Sequence, residues 1–179
     1  MLLEKAAIIS AILVSYFLQT SVDFFRLGII KPDFLLILTV YFAIYRGEFM
    51  GLWVGFFGGL LQDVYLGGVA IPNTEIVQFY LGTHALPKTI MGYIAGKIAK
   101  GVNNDTTLIV VIIVFVLSIL KGFMTFFLVA IFHAKVSAQS MVTIILPEAV
   151  YNAILSIVWF RLLRWALPFL ESSNTPRYT

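Results

Sequence analysis

The hydrophobic positions of this chain fall in long blocks, and the polar residues gather at the breaks between them. The first block runs from Ala6 to about Phe25, behind Glu4 and Lys5. No small-x-small cleavage site follows it at Phe17-Leu18-Gln19-Thr20, so it reads as an uncleaved anchor rather than a signal peptide. Pro32-Asp33 opens a second helix reaching about Tyr45; proline suits the first turn, and an acid suits the positive helix end. After Arg46-Gly47-Glu48 a third block covers Phe49 to Leu66, and further blocks cover His84 to Ile98, Thr106 to Phe132 and Met141 to Leu167. The second and fourth, at ~15 residues or ~22 Å, are short for a ~30 Å hydrocarbon core. Gly67 to Thr83, with Gly67-Gly68, Pro72 and Asn73, reads as a loop holding a re-entrant or interfacial piece. The pattern predicts an all-α integral membrane bundle of about six spans, with five spans plus a re-entrant segment as the competing count.

Composition narrows the class further. Of 179 residues, 60% are hydrophobic and 12% charged, against about 25% charged in a soluble domain. Six spans leave only short loops, which excludes an independent soluble catalytic domain. The expected organisation is one polytopic domain over residues 1–170 with a short polar tail at 171–179. Cysteine is absent, so disulfides, thiolate catalysis and Cys-ligated metals are excluded. The twelve Lys and Arg are scattered singly, giving no basic track for nucleic acid despite a net charge of +3. Under a six-span count, Lys5, Arg46, Lys97, Lys100, Arg161, Arg164 and Arg177 share one side, while Arg26, Lys31, Lys88 and Lys135 share the other. The richer side is expected to be cytoplasmic, which puts both termini inside.

Two constellations carry most of the remaining information. Gly47, Gly51, Gly55 and Gly59 recur at four-residue spacing, so they line one groove on one helix face. Such grooves let helix backbones approach in lipid, where no hydrophobic force drives association. Two occupants stay open: a helix of this chain, or a helix of a partner protein, with Asp63 continuing the same face. Gly92 and Gly96 repeat the pattern weakly. The second constellation is ionisable groups at membrane depth: Asp63 beside Gln62, Lys121, and Glu148 after Pro147. Each costs at least ~2.5 kcal/mol near the bilayer centre unless it faces the protein interior. A buried Asp63–Lys121 or Glu148–Lys121 pair, or a ligand or proton site, would explain them. HExxH and GxSxG are absent, and Leu61 stands where a Gly-x-Gly-Asp protease needs glycine. His84 and His133 read as interfacial histidines rather than metal ligands. Neither metal nor cofactor is expected.

A wider pattern joins these elements. Lys31-Pro32-Asp33-Phe34-Leu35-Leu36-Ile37-Leu38 leads through Tyr41-Phe42-Ala43 and Arg46-Gly47 to Gly51 and Gly55-Phe56. Gly58-Gly59-Leu60-Leu61-Gln62-Asp63 and Gly67 follow, then Gly82, Leu86, Lys88-Thr89, Gly92-Tyr93-Ile94-Ala95-Gly96 and Glu148-Ala149-Val150-Tyr151-Asn152-Ala153. Over roughly residues 30 to 160 this resembles the bacterial rod shape-determining family MreD. The resemblance implies a non-catalytic inner-membrane scaffold of the cell-wall elongation machinery. It also implies a bitopic partner of the MreC type and, through it, the MreB cytoskeleton and the synthase pair RodA and PBP2. The family is similar in fold to the substrate-binding subunits of vitamin transporters, which makes a small-molecule-binding transporter subunit the alternative function. On that alternative Gln62, Asp63, Lys121, Glu148 and Asn152 would line a pocket. The loop Gly68 to Thr83 is longer and more polar than the family pattern.

Overall fold

The computed structural model describes residues 2–21, 23–28, 30–66, 68–70, 77–79, 81–101, 107–132 and 138–168. Six α-helices carry the fold: α1 (Leu2–Ser21), α2 (Phe34–Arg46), α3 (Glu48–Leu66), α4 (Ala85–Ala99), α5 (Thr107–Phe132) and α6 (Ala138–Ala166). The expected blocks and observed helices agree to within a few residues at most ends. The first differs most: α1 stops at Ser21, and a single 3-10 turn takes Asp23–Phe25. An all-helical reading also needs one amendment. Between α3 and α4 the strands β1 (Gly68–Ala70) and β2 (Val77–Phe79) pair antiparallel, Val69 opposite Gln78. Pro72, Asn73, His133, Lys135 and the tail at 171–179 lie outside the described residues.

α2 is the central element. Every residue from Phe34 to Ile44 is buried, the condition of a helix that is apolar all round and surrounded by others. Phe34 meets Trp159 edge-on at 5.0 Å between ring centroids, and Tyr41 meets Phe160 at 5.2 Å. α2 therefore runs parallel to the C-terminal half of α6. Its length, ~20 Å at 1.5 Å per residue, is that of a helix enclosed by its neighbours. By length and apolarity two helices are able to cross a membrane alone, over Thr107–Ile131 and Val142–Ala166.

The glycine stripe is filled from within. A methyl group added at Gly55 would collide with the Lys88 carbonyl, one at Gly59 with the Ala85 backbone, and one at Gly92 with the Gly51 carbonyl. At Gly51 it would meet Ala43 and the Gly92 carbonyl, and at Gly96 the Glu48 backbone. α3 and α4 thus pack antiparallel, backbone on backbone, with α2 completing the groove through Ala43 and Thr39. Of the two occupants left open by the spacing, the structure puts this chain's own helices there. Gly47 does not belong to the stripe: it precedes α3, has open space at its Cβ position and sits at φ 87°. That left-handed conformation lets the chain turn from α2 into α3 without a break longer than one residue.

The helices share one end. Arg46 pairs with Glu4, while Glu48 accepts Lys100 at 2.6 Å and lies 3.9 Å from Lys97. Thr107, Tyr45 and Arg164 line one small crevice at that same end. Beyond the opposite end of α2 and α4, α5 continues past Lys121 for eleven residues and α6 begins ten residues before Glu148, a rise of about 15–17 Å.

The collisions are backbone contacts that no side-chain rotation relieves. Gly55→Ala and Gly92→Ala should each cost at least the ~1–3 kcal/mol typical of overpacking, read as a lower thermal midpoint in detergent. Gly101→Ala, with its nearest neighbour at an ordinary 3.8 Å, should leave the midpoint unchanged.

Candidate functional site

A helix start leaves backbone N–H groups without partners, a serious cost inside an apolar bundle. α2 meets that cost with side chains from three helices. Asp33, its N-cap, accepts the Leu36 N–H at 2.9 Å through Oδ1, and Gln19 of α1 accepts the Leu35 N–H at 3.2 Å. Asp33 donates its own N–H to Asn152 Oδ1 of α6 at 2.8 Å, and Asn152 Nδ2 donates to Ser118 of α5 at 3.3 Å.

The same Asp33 carboxylate holds two buried ammonium groups. Lys88 of α4 lies 2.9 Å from Oδ1 and Lys121 of α5 lies 2.9 Å from Oδ2. Lys121 also reaches Glu148 of α6 at 2.8 Å, and Lys88 donates to the Gln62 side chain of α3. Lys88 is fully buried and Asp33 nearly so, whereas the Glu148 side chain keeps 20% of its surface exposed. Asp33, Lys88, Lys121 and Glu148 are charge-balanced. Balance and close geometry are what make buried charges tolerable at all.

Asp63 performs a parallel task at α4. His84, the N-cap residue there, supplies no side-chain cap. Asp63 Oδ2 instead accepts the N–H groups of Gly82 and Ala85 at 2.8 and 3.1 Å. Its Oδ1 accepts the His84 N–H at 2.7 Å and the Thr83 hydroxyl at 2.8 Å. The His84 ring Nδ1 sits 2.9 Å from Oδ1. A carboxylate from the end of one helix thereby caps the start of the next, where the positive helix end favours it.

Over the Lys121–Glu148 pair lies a cavity of about 360 Å³, on the side where α5 and α6 outrun the shorter helices. Gln19, Gln62 and His84 reach it from one side, and Phe126, Val129 and Ile144 form an apolar wall on the other. Among the described residues no three His, Asp or Glu side chains converge as a metal site would need.

The structure brings together Gln62, Lys121, Glu148 and Asn152, all marked from the sequence, and it realises the Glu148–Lys121 pair. It does not form an Asp63–Lys121 pair, because Asp63 is spent on the start of α4. Gly51, Gly55 and Gly59 lie behind the site, in the α3–α4 contact. Two residues that the sequence reading treated otherwise belong here. Asp33 was expected to favour the start of α2, and it is also the hub of the ion network. Lys88, which the charge tally puts on the far side with Arg26, Lys31 and Lys135, is buried in the first turn of α4. A lysine one turn after Gly82-Thr83-His84 was the available signal, since charges at helix starts are normally acidic.

A family model described as rod shape-determining protein MreD matches residues 2–167. No curated protein and no solved structure matches the chain.

The network predicts a rescue. Asp33→Asn leaves Lys88 and Lys121 facing one carboxylate, and breaking such a buried pair costs about 3–5 kcal/mol, so folded yield in detergent should drop. Adding Lys88→Met restores charge balance and should recover much of that yield. Asn still caps the helix, so a double variant no better than Asp33→Asn alone would overturn charge imbalance as the cause of the loss.

Proposed function

We propose that this chain, which belongs to the MreD family of rod shape-determining proteins, acts in the bacterial inner membrane as a non-catalytic scaffold of wall elongation. On this reading it binds the single span of an MreC-type bitopic protein and, through that protein, serves the MreB cytoskeleton and the RodA–PBP2 synthase pair. Family membership over residues 2–167 carries the reading. The polar layer supports it, because its groups close helix starts or balance one another. The glycine stripe then serves the complex indirectly, by locking α3 to α4, while the outer faces of the bundle remain open to a partner's span.

The membrane arrangement follows from the shared helix end. Lys5, Arg46, Lys97, Lys100, Arg161 and Arg164 lie at that end, which the positive-inside rule makes cytoplasmic. Six spans with both termini inside, and a bundle like that of vitamin-transporter binding subunits, complete the proposal. The cavity favours the second reading, a small-molecule-binding subunit of a transporter.

Expressed in a rod-shaped bacterium lacking its own family member, the chain should restore rods and co-purify with the MreC-type protein. Round cells with no co-purifying partner, at normal membrane levels of the chain, would reject the scaffold. Solute uptake that depends on the chain while shape does not would select the transporter reading. Reporter fusions at Thr179 and between Asn73 and Gln78 should score cytoplasmic and periplasmic respectively; a periplasmic terminus at Thr179 would favour five spans.

A further inference from the structure

The cavity over Lys121 and Glu148 has a make-up that narrows its occupant. Its volume of about 360 Å³ falls within the about 300–1,000 Å³ of sites that enclose small organic molecules. One wall is hydrocarbon, from Phe126 and Val129 of α5 and Ile144 and Ile145 of α6. The charges in and directly behind the lining balance, with Lys31, Lys88 and Lys121 set against Asp33, Asp63 and Glu148. A ligand of net charge brought onto such a floor would have no counter-ion in a poorly solvated place. The floor therefore favours a net-neutral group.

Hydrogen-bond accounting sets the polarity of that group. Gln19 spends its amide oxygen on the Leu35 N–H, and Gln62 spends its own on Lys88. Their amide N–H₂ groups belong to residues that line the cavity. Among the described residues Thr125 Oγ1, on the same lining, is buried and makes no hydrogen bond. Buried polar groups without partners are costly and uncommon. Amide and hydroxyl donors on the lining, beside a hydrocarbon wall, suit a molecule with ester, ether or hydroxyl oxygens at one end and an apolar body at the other.

We propose that this cavity binds a net-neutral amphiphile of the glycerol-ester type. Its oxygen-rich end meets Gln19, Gln62 and Thr125 above the Lys121–Glu148 pair, and its chain lies along Phe126, Val129 and Ile144. The site is independent of partner binding. It serves as a lipid contact of a scaffold or as the recognition pocket of a binding subunit.

Native mass spectrometry of the full chain released from micelles provides the test, with four probes: 1-oleoylglycerol, oleate, oleylamine and glycerol monoacetate. Oleoylglycerol should be retained at least about tenfold better than oleate or oleylamine, a preference within reach of one unmet polar requirement. Glycerol monoacetate, which has the head without the chain, should not be retained; retention equal to that of oleoylglycerol overturns the hydrocarbon part and points to a solute rather than a lipid. Thr125→Val removes a hydroxyl that bonds nothing, so it should leave the thermal midpoint unchanged and lower oleoylglycerol retention several-fold. Val129→Trp fills the cavity and should abolish retention. Equal retention of the three oleyl probes, or full retention by both variants at unchanged thermal midpoints, overturns the proposal.

Discussion

The Asp33 carboxylate is the constraint on which the rest of the bundle depends. It closes the start of the central helix, and it neutralises lysines from α4 and α5. Through Asn152, Gln62, Glu148 and Gln19 the same layer reaches α6, α3 and α1. In lipid, apolar helix surfaces gain little by facing each other rather than acyl chains, so specificity must come from close packing and polar contacts. One acid that answers to four other helices, directly or through one side chain, with α1 joined at the neighbouring Leu35 N–H, sets their relative heights.

The glycine contacts supply the other half of that specificity. Gly55 of α3 lies against the Lys88 carbonyl, and Gly59 against Ala85. The close approach of α3 and α4 thus fixes the level at which Lys88 leaves its helix, which is the level of Asp33. Asp63, one turn beyond Gly59, meets the start of α4 for the same reason. A side chain in the groove would separate the backbones and would also pull the ammonium from its carboxylate. Packing and electrostatics are coupled here, so substitutions at Gly55 and Lys88 should not be additive.

The unequal helix lengths decide where chemistry is possible. The short helices stop at the polar layer and, among the described helices, only α5 and α6 continue, so the charged floor meets an apolar wall. The polar layer and the cavity are consequences of one geometry. The paired charges hold the helices at fixed heights, and the step above them leaves the cavity.

The sequence by itself determined what is local. Lipid requires long apolar helices with satisfied backbones, so the six blocks, the break at Gly47 and the cap at Asp33 could be read from residue order, as could the depth of Lys121 and Glu148. The tertiary structure decided every choice of partner. Spacing of four marks a groove without saying which helix fills it, and neighbouring helices of this chain do so. Charge bookkeeping sorts lysines by loop, yet a long flexible stem and one turn of helix carried Lys88 into the interior. Asp63 and Lys121 both needed a counter-group, and only the relative heights of α3, α4 and α5 sent one to a helix start and the other to Asp33. Helix formation depends on neighbours within a few residues, whereas the pairing of buried charges depends on which backbones touch, and that is a property of the folded bundle alone.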